Sequence, residues 1–486
     1  MHHPPEHRPA KTTEISAHEP KSWLLPVLLV AQLMVILDLT AVNIALPHIA
    51  LDLQLTGSRI SWTITSYSLI FGSLLLLGGR AADLIGRRRM FLTGLGVFTA
   101  ASLASAMAAS AGALFAARAG QGLGAAMLSP AALSIITSTF HGARRGKALA
   151  AWGAVGGAGA AIGVLVGGVL TQFTDWRTIF YVNLPIAAAL LIAALKVVPA
   201  DAAKPRVRGL DLAGAALATT SLASIVYAIT QAESAGWTSV QTHLYGLGGI
   251  AGLSVFAVYE LRVDTPLLRV DRIADRAVGG GLLLMLAAAG SLFGLFLLCS
   301  LYLQNVLGMG PLATGLAFIP LALAAGAGAH GAGHLIATHG VRGPLTGAFA
   351  VTTAGMLLLS RVGEHGTYLR DVLPGMLVAG IGLGVAVVIV STAILAGARP
   401  DEAGMLSGLN STGHELGGTL GIAVFATVAA GGGEILGAHA AAGIADAFLA
   451  GALVATLASI VAYAVLPRAR HFLPKLQLTP HAMPIH

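Results

Sequence analysis

Long apolar stretches alternate with short polar segments along the whole 486-residue chain. A helix that crosses the hydrocarbon core of a bilayer needs roughly 20 mainly apolar residues. Stretches of that length predict fourteen transmembrane helices, and hence an all-α integral membrane protein. Their predicted limits are 24–45, 60–82, 90–109, 112–140, 147–172, 177–197, 210–231, 242–261, 277–304, 312–337, 343–361, 370–396, 404–430 and 442–466.

The composition indicates the same class of protein. Hydrophobic residues make up 56% of the chain and charged residues only 10%, with a mean hydropathy of +0.81. Soluble domains carry about 25% charged residues, so this chain has too little polar surface to face water on all sides. The single cysteine, Cys299, excludes an intrachain disulfide and a cysteine-cluster metal site.

The positions of Lys and Arg predict the orientation. If the N-terminus is cytoplasmic, all but five of the 28 Lys and Arg residues fall on cytoplasmic segments. The exceptions are Arg59, Arg177, Arg361 and Arg370 on the opposite side, and Arg118 inside a predicted span. Cytoplasmic loops carry an excess of these residues, and an even number of spans places both termini inside. The positive charge therefore sets topology, and we expect no nucleic-acid partner.

A weak internal repeat divides the chain. Two glycines seven residues apart follow predicted span 2 (Gly79 and Gly86), and the same spacing follows span 10 (Gly333 and Gly340). Internal repeats are typical of secondary transporters. We predict a disordered cytoplasmic tail without a cleavable signal peptide, a six-helix half, inserted helices 7 and 8, a second six-helix half and a cytoplasmic C-terminal tail. These parts correspond to residues 1–22, 23–199, 200–265, 266–467 and 468–486.

Six segments carry recognisable motifs. They are LDLTAVNIALP (37–47), GRAADLIGRRR (79–89), RAGQGLGAA (118–126), GAGAAIGVLVGG (157–168), DWRTIFYVNLP (175–185) and SGLNSTGHELGGTLG (407–421). Together and in this order they resemble the major facilitator superfamily, in its fourteen-helix drug:proton antiporter branch. Two departures from the branch stand out. Val164 follows Gly163 where the antiporter motif has proline, and His414-Glu415 stands where Arg-Gln is common.

Asp38 is a carboxylate within an otherwise apolar run of predicted span 1. An aspartate at a helix centre costs about 2.5–3.5 kcal/mol on insertion scales, so we expect it to face an aqueous cavity or a partner, in the outer half of the membrane. Exchange of its charge for a proton would couple transport to the proton gradient. Arg118, to which the resemblance also assigns proton coupling, is the expected counter-charge. The alternative is a permanently ionised structural pair, or a carboxylate bonded to Thr40 or Asn43.

Glu415 is the third candidate for proton coupling, because it lies near the middle of predicted span 13. It would carry a second proton or accept a cationic substrate. The alternative is a helix-contact pair with His414, or exposure to a water-filled vestibule.

The cytoplasmic loop after span 2 is the candidate for a conformational latch, formed by Asp83, Gly86, Arg87 and Arg88. Asp83 would cap a helix or pair with an arginine across the loop, and so hold the outward-open state. A solvated run of charges that only sets topology is the alternative.

Small residues line one face of predicted span 5, with Gly156, Gly159, Gly163 and Gly167 at helical spacing. Such faces allow close approach of a neighbouring helix. The expected role is a rocking contact between the two halves, or simply tight packing.

The remaining candidates concern the substrate cavity and a possible metal site. Weak cavity candidates are Met34, Asn43, Gln121, Phe293, Tyr302, Asn410 and His414. His330 and His334 share a helix face and are candidate metal ligands, but no acidic residue stands between them. We therefore expect no metal, and histidines that line the inner vestibule with a role that the sequence leaves open.

The resemblance implies proton-coupled efflux of amphipathic drugs or antibiotics by alternating access, in the cell membrane. No nucleotide-binding fold is visible, so the proton would be the coupling ion and no cofactor is expected. Val164 keeps open the transport, inward or outward, of one specific metabolite. A substrate sensor is disfavoured by the intramembrane charges, and an enzyme would depend on the histidine pair alone. The expected partners are a small amphipathic substrate and the lipid bilayer, for a monomeric chain.

Overall fold

The computed structural model describes residues 22–56, 59–140, 142–201, 211–264, 266–395, 403–431 and 440–466, and in these ranges it is helical without strands. The helices are α1 (Leu24–Asp52), α2 (Trp62–Ile85), α3 (Arg87–Ala106), α4 (Ala111–Thr139), α5 (Gly142–Phe173), α6 (Thr178–Tyr181), α7 (Asn183–Val197), α8 (Leu212–Ala235), α9 (Val240–Glu260), α10 (Val270–Ile273), α11 (Arg276–Leu301), α12 (Pro311–Ala317), α13 (Ile319–His339), α14 (Arg342–Leu359), α15 (Leu373–Leu395), α16 (Ala403–Gly431) and α17 (Ala441–Val465). Two π-helical turns, Tyr302–Val306 and Tyr368–Val372, continue α11 and precede α15. Both predicted tails lie outside the described residues.

Eleven helical stretches within the described residues are long and apolar enough to cross a membrane. Three further helices, α5, α14 and α16, have 32, 18 and 29 residues. Each of the fourteen predicted segments therefore contains a helix, with α6 and α7 sharing the sixth and α12 and α13 the tenth. The main difference is α1, which continues to Asp52 rather than ending at residue 45 and so places Asp38 at its midpoint.

The first helix set, α1–α7, packs through close backbone contacts at glycines. On α5, a Cβ atom placed on Gly167 would lie 2.7 Å from Cα of Ala41 in α1. On α4, a Cβ atom on Gly124 would lie 2.7 Å from Cα of Phe98 in α3. Gly78 of α2 likewise meets the backbone carbonyl of Ala126 in α4. Small residues allow helices without a hydrophobic driving force to approach this closely.

The second helix set, α11–α17, pairs its helices in the same way. Gly421 of α16 packs against Gly290 of α11, and this pair of helices corresponds to α5 and α1 in the first set. Gly384 of α15 packs against the carbonyl of Ala325 in α13, and this pair of helices corresponds to α4 and α2 in the first set. Gly355 of α14 packs against Ala379 of α15, and this pair corresponds to α3 and α4. The helices at the two glycine-spaced loops also end alike, because Gly86 follows α2 with φ +120° and Gly340 follows α13 with φ +73°. These matching features are those expected of an internal repeat.

The hairpin formed by α8 and α9 lies over the seam between the two sets. Val226 of α8 is buried in one cluster with Leu69 of α2 and Ala423 of α16. The hydroxyl of Thr427 on α16 also donates to the carbonyl of Ile229 on α8, at 3.2 Å. Only 11% of the apolar stretch of α9 is buried against the rest of the bundle. The hairpin thus binds both sets through α8 and leaves α9 on the outside.

Candidate functional site: a buried charge network and a partly open carboxylate

Asp38 is the centre of a buried hydrogen-bond network. Its side chain projects from the middle of α1 and is fully buried. Nη1 of Arg118 on α4 donates to Asp38 Oδ2. Nε2 of Gln121, one turn along α4, and Nδ2 of Asn183, at the start of α7, both donate to Oδ1 at 2.8 Å. The carboxylate thus accepts from three donors on two neighbouring helices.

Serines of α3 hold these donors in place. Ser102 accepts from Gln121 Nε2 at 2.8 Å and from Asn183 Nδ2 at 3.3 Å. Ser105 donates to Gln121 Oε1 at 3.0 Å, and Arg118 Nη1 also donates to this oxygen, at 2.9 Å. Because the amide oxygen faces donors, its nitrogen must point at Asp38, and four helices contribute to one connected network.

Arg118 is the largest fully buried side chain among the described residues. Its Nε donates to the carbonyl of Thr63 at 3.1 Å, and its guanidinium carbon lies 4.5 Å from the ring centre of Tyr67 and 5.6 Å from that of Phe180. Cation–π contacts of this kind stabilise a desolvated cation. Nη2 has no hydrogen-bond partner, so the charge is enclosed but not fully satisfied.

The geometry distinguishes between the sequence expectations for Asp38. The carboxylate meets the expected partner, Arg118, rather than a cavity in this conformation, because it is fully buried and accepts from three donors. It is not bonded to Thr40 or Asn43 either, since Thr40 donates to the carbonyl of Ile36 and Asn43 to that of Leu39. Attraction to a guanidinium and two amide donors offsets the desolvation of a buried ion only when the geometry is as complete as this. The arrangement is therefore that of a buried ion pair.

Glu415 lies in a second, more open site on α16. Its carboxylate is 13% exposed, and its Oε1 lies 3.5 Å from Nδ1 of His414, which is 29% exposed. The imidazole packs edge-on against Phe293 of α11, with ring centres 5.5 Å apart. Glu415 Oε2 and Asn410 Oδ1 are buried acceptors without a partner. Unpartnered acceptors beside an aromatic ring suit a ligand that brings a donor or a positive charge.

Helix α2 connects the two sites. Tyr67 packs under Arg118, and its hydroxyl is buried without a hydrogen-bond partner. Gly72, further along α2, faces α16, where an added Cβ atom would lie 2.9 Å from Cβ of Glu415. A shift of α2 would therefore act on both charged sites at once.

The glycine loop after α2 holds the candidate latch. Asp83 Oδ1 accepts from Arg87 Nη2 at 3.2 Å and lies 3.4 Å from the hydroxyl of Ser134, while Arg88 donates to the carbonyl of Leu195 at 2.7 Å. Asp83 is 54% exposed and Arg87 40%, so water screens this ion pair. The expected ion pair across the loop is present, within the first helix set.

Asp201 closes the same loop from the segment that follows α7. Its two carboxylate oxygens accept from the backbone N–H groups of Arg88 and Arg89 at 3.0 and 3.1 Å. These are the first-turn donors of α3, which a helix cannot satisfy by itself. The carboxylate also fills the space in which a Cβ atom on Gly86 would lie. A cavity of about 290 Å³ lies between the loop, α4 and Asp201.

The glycine face of α5 packs within the first set rather than between the two sets. Gly159, Gly163 and Gly167 all face α1, while the surroundings of Gly156 lie outside the described residues. The contact between the two helix sets is made by an adjacent face of α5, on which Val164 and Gly168 pack against α12. A helix presents different rows of residues to different neighbours, and the spacing of the glycines alone does not say which neighbour they meet.

A second contact between the sets forms at a proline in α1. Pro47 has no N–H group, so the carbonyl of Asn43, four residues earlier, has no helical partner. The hydroxyl of Ser300 on α11 donates to this carbonyl at 2.9 Å, and Nε2 of Gln304 donates to the carbonyl of Ile44 at 3.0 Å. Ser300 of the second helix set therefore replaces the hydrogen bond that α1 lacks at Asn43, and Gln304 adds a further donor at Ile44.

The other sequence candidates lie apart from these sites. Met34 is buried in the core, and the hydroxyl of Tyr302 donates to the carbonyl of Gly363 at 2.7 Å. His330 and His334 are exposed on α13, and no group of three or more potential metal ligands occurs within the described part of the chain. Of the seven cavity candidates, Phe293 and His414 lie together beside Glu415, while Gln121 belongs to the Asp38 network.

Several participants were not predicted from the sequence. Asn183 lies in the apolar stretch after Trp176, and its amide in such a setting was the available signal. Ser102 and Tyr67 gave none, because single serines and tyrosines are common in transmembrane helices. Asp201 lies in a charged linker, where nothing in the sequence indicates that it caps a distant helix.

The model of the Major Facilitator Superfamily matches residues 28–422 of this chain. The chain belongs to this family. Its relatives include the puromycin resistance protein pur8 of Streptomyces alboniger, which is 41% identical over 87% of this chain and 85% of its own. The cephamycin export protein CmcT of Amycolatopsis lactamdurans is 36% identical over 94% of this chain and 95% of its own.

Solved structures show the same fold at low identity. A bacterial homologue of the human lysosomal transporter Spinster aligns with a TM-score of 0.63 and 17% identity, over 93% of this chain and 98% of that one. A peptide transporter POT in complex with sulfate aligns with a TM-score of 0.65 and 16% identity, over 93% and 95%. Family membership makes this chain a multi-pass membrane transporter, as the resemblance of its motifs predicted.

Proposed function

We propose that this protein is a proton-coupled exporter of amphipathic drugs or antibiotics in the cell membrane. The observation that carries the proposal is the buried Asp38–Arg118 pair at the centre of a transporter fold. The relatives named for puromycin resistance and cephamycin export support the substrate class.

The molecule in this proposal crosses the membrane fourteen times, with both termini in the cytoplasm. The end of the bundle that holds Gly86 and Asp201 then faces the cytoplasm, and the end that holds Trp176 faces outward. The two helix sets are the halves that rock about the central sites. The α1–α11 and α5–α12 contacts separate when the outer side opens.

Asp38 would couple the proton to this motion through Arg118. A proton on the carboxylate removes the charge that holds the guanidinium, and the bonds to the two amides weaken with it, because charge-assisted hydrogen bonds are about twice as strong as neutral ones. Arg118 then moves relative to Tyr67, and α2 carries that motion to α16. Loss of the proton to the cytoplasm restores the network described above.

Glu415 would receive the substrate. Its unpartnered oxygen and the nearby ring of Phe293, which packs against His414, provide an acceptor and an apolar face for an amphipathic cation. In this arrangement a cationic substrate and a proton compete for one carboxylate, which is a direct way to exchange them.

Transport in inverted membrane vesicles tests the proposal, with a cationic dye as substrate and an imposed pH gradient. We expect Asp38→Asn to abolish gradient-driven accumulation but to retain dye exchange without a gradient. Glu415→Gln should weaken uptake of cationic dyes more than that of neutral ones. Asp446→Asn, at an exposed carboxylate on α17, is the matched control and should transport as the wild type does.

Gradient-driven transport by folded Asp38→Asn at the wild-type rate would make Asp38 a structural residue. A second candidate function, transport of one specific metabolite, is favoured by Val164, which lies at the contact between sets where the antiporter motif has proline. A wild type that moves no dye, yet is stabilised by a single metabolite, would favour that function.

A further inference from the structure

The α8–α9 hairpin holds a pair of buried acidic residues that the transport mechanism does not use. Asp211 precedes α8 and Glu260 is the last residue of α9, so both lie at the same end of the hairpin. Asp211 is 5% exposed and Glu260 4%. Two carboxylates at this depth need donors or a counter-charge.

One oxygen of each carboxylate is well bonded. Asp211 Oδ1 accepts from the N–H group of Gly214 at 2.7 Å and from the hydroxyl of Tyr259 at 3.1 Å. Glu260 Oε2 accepts from the N–H group of Leu268 at 3.1 Å. These bonds fix both side chains and join the hairpin to the segment that leads to α11.

The other two oxygens face each other without a donor. Asp211 Oδ2 and Glu260 Oε1 are both buried and have no hydrogen-bond partner. Both would collide with a Cβ atom on Gly214, so they border the same small space. Since each oxygen lies so close to that Cβ position, the two oxygens are within about 5 Å of each other. Glycine at position 214 is what leaves room for this contact.

No basic side chain of the described residues neutralises the pair. Tyr259 on α9 donates to Asp211, and Arg272 near α10 is bonded to Asp275 at 2.7 Å. Arg262 and Asp264, on the segment after α9, are without a bond to either carboxyl group, and Asp264 is exposed. Helices α2 and α16 pack against α8 through Leu69 and Ala423 at Val226, about four helical turns from Asp211.

We propose that Asp211 and Glu260 form a proton-binding site in which the two carboxyl groups share one proton. Two ionised carboxylates in contact repel each other strongly, whereas one protonated carboxyl donates a hydrogen bond to its ionised neighbour. The shared proton satisfies both facing oxygens and ties the start of α8 to the end of α9. This site is separate from Asp38, and it does not depend on the direction or substrate of transport.

Release of the proton would loosen the hairpin at this end. The same end is bonded to the Leu268 segment, and α8 covers the seam between the two helix sets. Proton occupancy therefore sets how firmly the hairpin is held over that seam.

The pH dependence of thermal unfolding tests the site, measured by tryptophan fluorescence of the purified full chain from about pH 5 to about pH 9. In the folded protein the pair keeps a proton that the separated carboxyl groups of the unfolded chain have lost. The folded state thus binds more protons, and stability falls as pH rises through the release of that proton. In Glu260→Gln the amide supplies a permanent donor to Asp211 Oδ2, so this loss should disappear.

We expect the melting temperature of the wild type to fall relative to Glu260→Gln by about 1–2 °C for each pH unit between about pH 5 and the release point, and to stay level relative to it at higher pH. Asp264→Asn, at the exposed carboxylate nearby, should follow the wild type. Asp211→Asn, which keeps a good helix cap, serves the same purpose if Glu260→Gln does not fold. Parallel curves for the wild type and the amide variant, or a wild type that gains stability with pH, would overturn the proposal.

Infrared spectroscopy gives an independent readout. The carbonyl stretch of a protonated carboxyl group should be present in the wild type at neutral pH, absent from Glu260→Gln and retained in Asp264→Asn. Identical bands in all three proteins would show that the pair holds no proton.

Discussion

The Asp38–Arg118 pair shows how a charged residue is retained inside a transmembrane helix bundle. The pair is completed by Gln121 and Asn183, so that each Asp38 oxygen has a donor. Removal of one partner of a buried ion pair costs about 3–5 kcal/mol, because the other charge is left without compensation, whereas removal of both costs much less.

A double-mutant cycle should reveal this coupling. We expect Asp38→Asn and Arg118→Gln each to lower the melting temperature strongly, and the double variant to be more stable than the sum of the two losses predicts. Thermal unfolding of the four purified proteins provides the measurement. Additive losses would mean that the two side chains act independently in spite of their contact.

The sequence identified Asp38, Arg118 and Glu415 because a charge in an apolar helix is conspicuous. It did not identify Ser102 or Tyr67, whose roles depend on which helices become neighbours. Asp38 was expected to face a cavity or a partner, and the sequence could not decide between them, since a carboxylate is equally well accommodated by water or by donors from other helices. The sequence therefore predicted which residues carry charge inside the bundle, but not which side chains surround them.

At the scale of the helices, the small residues of α5 determine packing on α1. An added methyl group at Gly167 would press on the backbone of Ala41, which has no freedom to move aside. Gly153, on the same helix, has open space around its Cα. The two positions therefore form a matched pair for alanine substitution.

We expect Gly167→Ala to destabilise the protein by about 1–3 kcal/mol through overpacking. Gly153→Ala should be neutral or slightly stabilising, because alanine has the higher helix propensity. Thermal unfolding of both variants measures the difference. Equal melting temperatures would show that α5 does not rest on α1 as the structure has it.

Most of the helices were predictable because hydrophobic length is a local property of the chain. Their ends were less so: α1 continues to Asp52 because its last turns are held by contacts such as the hydrogen bond from Trp176 Nε1 to Asp52 Oδ2, at 3.2 Å. The face that α5 shows to its neighbours depends likewise on the assembled bundle. Such tertiary contacts extend or reorient a helix without leaving a local signal.

At the scale of the whole molecule, the proposed topology places every loop on a defined side of the membrane. Single cysteines in a Cys299→Ser background test it, since Cys299 is the one cysteine of the chain and its replacement removes background labelling. We expect a cysteine in place of Trp237, between α8 and α9, to react with a membrane-impermeant thiol reagent added to intact cells. A cysteine in place of Arg262, after α9, should react only in inverted vesicles.

Both positions flank the inserted hairpin, so their labelling also reports whether α8 and α9 each cross the membrane. Labelling of both cysteines from the same side would contradict a count of fourteen spans. That the chain is a monomer stays a prediction. Light scattering of the detergent-solubilised protein should give 49.1 kDa after subtraction of the detergent.

The proline in α1 has a consequence for hydration. While the two helix sets are in contact, Ser300 supplies the hydrogen bond that Pro47 denies to the carbonyl of Asn43. When the sets separate, that carbonyl and the serine hydroxyl each lose a partner at depth in the membrane, and only water is small enough to replace both. Opening toward the Trp176 end is therefore a wetting step, and the rate of the transport cycle should respond to the activity of water as well as to the proton gradient.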